Sequence, residues 1–82
     1  MTPIHPRAAY VLKMLAASPG PVNRWHLVDQ LTPGAEDDGV LRVYIRRIRK
    51  ALGYGAVRTI RGKGYLLTYR GRIAYERMAQ IS

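Results

Sequence analysis

The sequence has no cysteine, and its acidic residues number five among 82 positions. The absence of cysteine excludes disulfide scaffolds, thiol catalysis and cysteine-ligated zinc. His5 and His26 stand alone, without a spaced carboxylate partner that would suggest a metal site. Nor do so few acids and histidines supply a nucleophile–base pair or a carboxylate pair. The sequence therefore predicts neither an enzyme nor a protein that binds a metal or another cofactor.

Long apolar runs are missing as well. No stretch reaches the about 18 consecutive apolar residues that a membrane span needs, and the start at Met1–Pro6 lacks the basic residues typical of a signal peptide. A chain of 82 residues has room for one small core. We therefore expect one small cytoplasmic domain that does not contact a membrane.

Positive charge is abundant and unevenly distributed. Fourteen Lys and Arg give the chain a formal charge of +9. Residues 1–41 hold three basic and four acidic groups, whereas residues 42–82 hold eleven basic groups and one acid, Glu76. Such a basic half predicts a polyanion partner, because neutralising phosphates releases condensed counterions. The alternative is that the positive surface only keeps the protein soluble, but the strong imbalance of charge favours nucleic acid as the partner.

Apolar residues at helical spacing predict three helices, over residues 7–17, 24–31 and 38–52. Asn23 is a good N-cap for the second helix, and either Asp37 or Asp38 caps the third. In the third helix, one narrow stripe is apolar and the opposite side is basic. The stripe consists of Leu41, Ile45, Ile48 and Leu52.

A β-hairpin is expected after the third helix. Ala56–Ile60 and Tyr65–Tyr69 are rich in β-branched and aromatic residues, and a glycine-containing turn joins them. Ile60 and Tyr65 should meet across the end of this hairpin. Val22 is expected to contribute a short extended pair of residues. The tail has the pattern of a short helix over residues 72–81, with Ala74, Met78 and Ile81 on one side.

Three helices followed by a basic hairpin describe a winged helix-turn-helix, an α+β and mainly α fold. In this architecture a helix fits the DNA major groove while the hairpin, the wing, reaches the flanking backbone or minor groove. We divide the chain into a winged helix domain, 1–69, and a C-terminal tail, 70–82. The recognition helix would be 38–52, and the wing 57–69.

The segments Leu41–Leu52 and Arg58–Tyr65 resemble the recognition helix and wing of OmpR/PhoB-type response-regulator effector domains. Residues 4–69 or so take part in the resemblance. The family usually carries a receiver domain and an N-terminal β-sheet, which this sequence lacks, so we expect a stand-alone version, bacterial or phage-encoded and nucleoid-associated. The loop Thr32–Gly39 is short, and the resemblance makes RNA polymerase a candidate partner of that loop.

The resemblance and the helical face together assign DNA contacts. Arg47 matches the family arginine that reads base edges, and Arg61 matches the wing arginine that enters the minor groove. The residues expected to contact bases are Arg42, Val43, Arg47 and Arg61. Those expected to contact phosphates are Arg46, Arg49, Lys50, Arg58, Thr59, Lys63 and Tyr65. For Tyr65, packing within the hairpin is an equal alternative.

The leading prediction is a sequence-specific, double-stranded DNA-binding transcriptional regulator. One alternative is a winged-helix module that docks a protein, such as a phage-type inhibitor of a host enzyme or polymerase. Another is an architectural protein that binds DNA without regard to sequence. Homodimerisation on DNA through the tail is a further hypothesis, because a single copy on one half-site would bind weakly.

Overall fold

A computed structural model describes the backbone of residues 4–81 and the side chains of residues 4–78. In this part of the chain, four α-helices surround a small antiparallel sheet. The helices are α1 (Pro6–Ala17), α2 (Arg24–Leu31), α3 (Gly39–Leu52) and α4 (Tyr69–Ile81). The strands are β1 (Val22–Asn23), β2 (Val57–Ile60) and β3 (Gly64–Leu67), with a short 3₁₀ turn, Tyr54–Ala56, between α3 and β2.

The three predicted helices are confirmed, and local capping explains where two of them begin. The Asn23 side-chain oxygen accepts the Trp25 N–H at 2.8 Å, so α2 starts where the sequence predicts. Helix α3 starts at Gly39, after Asp38. There the Asp37 carboxylate accepts the Gly39 N–H at 2.9 Å, while Asp38 occupies the N-cap position without a capping bond of its own.

The sheet has the strand order β1-β3-β2. In the hairpin formed by β2 and β3, Thr59 pairs with Tyr65 and Ile60 pairs with Gly64. The predicted pairing of Ile60 with Tyr65 is therefore wrong by one residue. The cause is the turn: the Lys63 N–H donates to the Ile60 carbonyl at 2.9 Å, which leaves three residues, 61–63, between the paired ends.

Strand β1 turns the hairpin into a three-stranded sheet, since Val22 pairs with Tyr65 and Asn23 with Gly64. The approach is close at Gly64, where a Cβ atom would overlap the Val22 carbonyl oxygen. Its φ of +145° is also one that other residues rarely adopt. A glycine at this position thus holds the wing against the segment that leads into α2.

The core lies between α1, α2, α3 and the inner face of the sheet. Its most completely buried large side chains come from all three helices and from β3. They are Val11, Leu12, Leu15, Leu27, Leu41, Ile45, Ile48 and Leu67. Three of the four residues in the predicted α3 stripe belong to this set, so burial of that stripe fixes which face of α3 points outward.

The tail folds into α4, which begins at Tyr69 and so is longer than predicted. Tyr75 and Met78 are half-buried and pack against the core. The side chain of Ile81, predicted to share a face with Met78, lies outside the described residues. No helix among residues 4–81 is both long and apolar enough to cross a membrane.

The side chains of Arg72 and Thr68 fasten the start of α4 through hydrogen bonds. The Arg72 guanidinium donates to the carbonyl oxygens of Ala16, at 2.9 Å, and Ser18, at 2.6 Å. These carbonyls lie at the C-terminal end of α1, where helix geometry leaves oxygens without intrahelical partners. The Thr68 hydroxyl accepts the Gly71 N–H at 3.1 Å. Helix α4 is thus tied to the opposite end of the chain.

Candidate nucleic-acid interface

The outer face of α3 is a dense array of positive charge. The helix holds five basic side chains and no acidic one. Four of the five are exposed: Arg42, Arg46, Arg47 and Lys50. Val43 lies among them and is 45% exposed. The structure therefore brings together five of the predicted contact residues on one helical surface.

The wing presents its own charges at its tip. Arg61 and Lys63 flank Gly62 in the turn, and all three residues are exposed. Gly62 has a φ of +76°, as the sequence predicts for this turn. A backbone hydrogen bond from Lys63 to Ile60 closes the turn, so the two exposed cations lie on a loop of defined geometry.

The residues of β2 divide between the two faces of the sheet. Successive side chains on a strand point to opposite faces. Val57 is buried and Thr59 is bonded to an arginine of α3, so these two face the helix. Arg58, predicted to contact phosphate, must point to the other face with its partner Leu66. The structure thus separates Arg58 from the other predicted contacts.

Arg49 occupies a different place from the other α3 cations. It is half-buried and reaches β2 instead of projecting outward. Its Nε and Nη2 donate to the Val57 carbonyl oxygen at 3.2 and 3.0 Å, and Nη2 also donates to the Thr59 hydroxyl at 3.0 Å. If Arg49 contacts a phosphate as predicted, the donor would be Nη1, which makes no hydrogen bond within residues 4–78.

Tyr65 is 8% exposed and belongs to the hydrophobic core. It lies on the middle strand, opposite Thr59 on one side and Val22 on the other. This placement agrees with the alternative role predicted for Tyr65, packing within the hairpin. A phosphate contact through its hydroxyl stays a prediction.

Arg24 was given no role by the sequence, yet it lies beside the wing. With six wing residues it lines a cleft of about 330 Å³ between the start of α2 and the hairpin. Its guanidinium is 3.4 Å from the Asp38 carboxylate, which holds it near the start of α3. The sequence did contain a signal for this role of Arg24: a basic residue directly after the Asn23 cap, at the positive end of a helix, where a cation is unfavourable for the helix itself.

Among the described residues, no three His, Asp or Glu side chains are grouped so that they could hold a metal ion. The exposed basic groups of α3 and the wing tip are guanidinium and ammonium donors, which are suited to phosphate oxygens and base edges.

Comparison with known proteins agrees with this geometry. The family model for the C-terminal domain of transcriptional regulatory proteins matches residues 2–67. The match includes α1 to β3 and thus all the predicted contact residues, and it ends before α4. The chain has no significant match among curated proteins or among solved structures.

The family consists of non-enzymatic, DNA-binding winged helix-turn-helix domains, and the four helices and small antiparallel sheet found here have that architecture. Most of the chain lies within the match. The resemblance of the α3 and wing segments to OmpR/PhoB-type effector domains is confirmed by it. The chain therefore belongs to the family of OmpR/PhoB-type C-terminal DNA-binding domains of transcriptional regulators.

Proposed function

We propose that the chain is a sequence-specific double-stranded DNA-binding transcriptional regulator that places α3 in the major groove and the wing at the minor groove. The observation that supports this most is the outer face of α3, where exposed cations lie opposite an apolar stripe of which three residues are buried. The same helix is hydrogen-bonded through Arg49 to a wing with a basic tip. A helix with such a face fits the major groove.

Base recognition belongs to the middle of the α3 face and to the wing tip. Arg47 has a guanidinium that can read guanine O6 and N7 together, and exposed Val43 suits contact with a thymine methyl group. Arg42 extends the readout toward the start of the helix. Arg61 enters the minor groove, where narrow A-tracts attract arginine most strongly.

Phosphate contacts fix the register of the helix on the duplex. Arg46 and Lys50 of α3 and Lys63 of the wing carry them, because all three are exposed cations around the base-reading residues. Thr59 can add a hydroxyl donor. Arg58 and Tyr65 contribute less, since one lies on the far face of the sheet and the other is buried.

The same proposal includes the cellular setting. The protein would act on the nucleoid, in the cytoplasm. Two copies on adjacent half-sites would bind more tightly than one, because the second contact becomes effectively intramolecular. The exposed loop between α2 and α3 would be available to RNA polymerase or another protein partner.

Selection from a random duplex pool at about 0.15 M salt tests sequence specificity, since non-specific charge contacts are already weakened there. We expect one enriched motif. Arg47→Ala should then weaken binding to the selected duplex by about 1–3 kcal/mol and relax the preference at one base pair. The matched control is Arg46→Ala, which should weaken binding to all duplexes alike and lower the salt slope by about 0.9.

Other results would favour the alternatives. Retained DNA binding without an enriched motif would point to an architectural protein. Failure to bind any duplex would point to a module that docks a protein. Equal losses on selected and random DNA for Arg47→Ala would place that residue among the phosphate contacts.

A further inference from the structure

Arg49 is the one α3 cation that the structure shows engaged with the wing. Its guanidinium spans two positions of β2, the Val57 carbonyl and the Thr59 hydroxyl, at 3.0 to 3.2 Å. Both acceptors belong to β2, which is an edge strand of the sheet. A planar guanidinium that donates to two fixed points on a strand restrains both the distance and the angle between α3 and β2.

The hairpin needs such a restraint. Strands β2 and β3 have four residues each, and the charged turn extends beyond the sheet. A two-stranded hairpin of this length is marginally stable by itself, and β1 pairs with only two residues of β3. Val57 is buried against α3, but Thr59 and the turn are exposed. The hydrogen bonds of Arg49 therefore link α3 to the part of β2 that leads into the turn.

The bond to Thr59 also directs the threonine hydroxyl. Its oxygen accepts a hydrogen from Arg49 Nη2, which leaves its own O–H free to donate. A donor held in this way is oriented for a phosphate oxygen before DNA arrives. Restraining the donor in the free protein lowers the entropy lost on binding.

We propose that Arg49 is a positioning residue that fixes the wing relative to α3 and so couples minor-groove contact by Arg61 to base reading by Arg47. The proposal rests on the function proposed above for α3 and the wing. Lysine cannot replace arginine here, because a single ammonium lacks the planar pair of donors that reaches both acceptors.

The first test uses the free protein, without DNA. In Arg49→Lys, amide hydrogen exchange in residues 59–66 should be at least about 5-fold faster than in the wild type. The matched control is Arg46→Lys, an exposed α3 cation, for which wing exchange should not change. Thr59→Val should accelerate the same amides, whereas Thr59→Ser should keep the wild-type rates because it keeps the acceptor.

The second test is a double-mutant cycle on the selected duplex. We expect Arg61→Ala to lower DNA affinity about 10-fold when introduced into the wild type, but less than about 3-fold when introduced into Arg49→Lys. The second effect is smaller because Arg61 contributes little binding energy once the wing is no longer fixed. Equal fold-losses in both backgrounds would overturn the coupling. They would leave Arg49 as an ordinary phosphate contact.

The two tests separate this inference from the proposed function. Unchanged wing exchange in both Arg49→Lys and Thr59→Val would overturn the positioning role even if the protein selects a DNA site. Faster exchange in a protein that selects no site would support the positioning of the wing and overturn the function on which the DNA coupling rests.

Discussion

Helices α3 and α4 are similar in length and both are basic, yet they use their arginines differently. In α3, four of five cations are exposed on one face. In α4, Arg72 is bonded to the end of α1 and the Arg70 side chain lies over Gly55. Glu76 offsets part of the remaining charge. The charge of α3 is thus available to a ligand, whereas in α4 the guanidinium of Arg72 holds the fold together.

The difference follows from how each helix is buried. The buried apolar stripe of α3 is narrow, which leaves most of the opposite side of the helix to solvent. On α4 the residues from Arg72 to Tyr75 are all half-buried, so packing extends over a wide arc. Net charge alone therefore does not identify a nucleic-acid surface, and the placement of the buried stripe has to be known as well.

The difference between α3 and α4 in their contribution to DNA binding can be tested by removing two positive charges from one helix or from the other, in separate variants. We expect Arg46→Gln with Lys50→Gln to weaken DNA binding about 30-fold, or about 2 kcal/mol, because two phosphate contacts are lost. The salt slope should fall by about 1.8. The measurement is duplex affinity across a salt titration.

The control for that pair is Arg70→Gln with Arg77→Gln, which removes the same charge from α4. It should change affinity by less than about 3-fold. If both pairs weakened binding equally, total charge rather than the face of α3 would determine DNA affinity.

The packing of α4 against the rest of the fold can be tested at Gly71. A Cβ atom there would overlap the Ala56 carbonyl oxygen and crowd Leu67. We expect Gly71→Ala to lower the free energy of unfolding by about 1.5 kcal/mol, because backbone atoms cannot move aside as a side chain can. Urea unfolding measures the effect, and the folded protein should keep its DNA affinity.

Gly55→Ala is the matched control, since its Cβ would meet the flexible Arg70 side chain at an ordinary 3.6 Å. Its unfolding free energy should stay within about 0.5 kcal/mol of the wild type. An equal loss at Gly55 would mean that the effect belongs to glycine replacement in general and not to the close approach of α4.

The sequence predicted the elements whose signals are local. Helix α2 has the predicted bounds because Asn23 caps it and Thr32 follows it. The exposed face of α3 was predicted because its stripe repeats at the helical period. The match of residues 2–67 to the family confirms the type of domain.

Features set by distant contacts could not be predicted in this way. The sequence predicted an extended pair of residues at Val22, but not its pairing with β3, which is possible because Gly64 allows β3 to approach Val22. Arg49 borders the polar face of α3, and no spacing rule shows that β2 lies within its reach. Likewise, the role of Arg72 depends on carbonyls more than fifty residues earlier in the chain.

The smallest expected effect concerns that link from α4 to α1. Arg72→Met keeps an unbranched stem but removes the donors to Ala16 and Ser18. Water can replace part of the lost hydrogen bonding, so we expect the free energy of unfolding to fall by about 1 kcal/mol. Exposed Arg77→Met is the control and should have little effect on stability. Weaker DNA binding by Arg72→Met at unchanged stability would instead make α4 part of the interface, and the contrast between the two helices would fail.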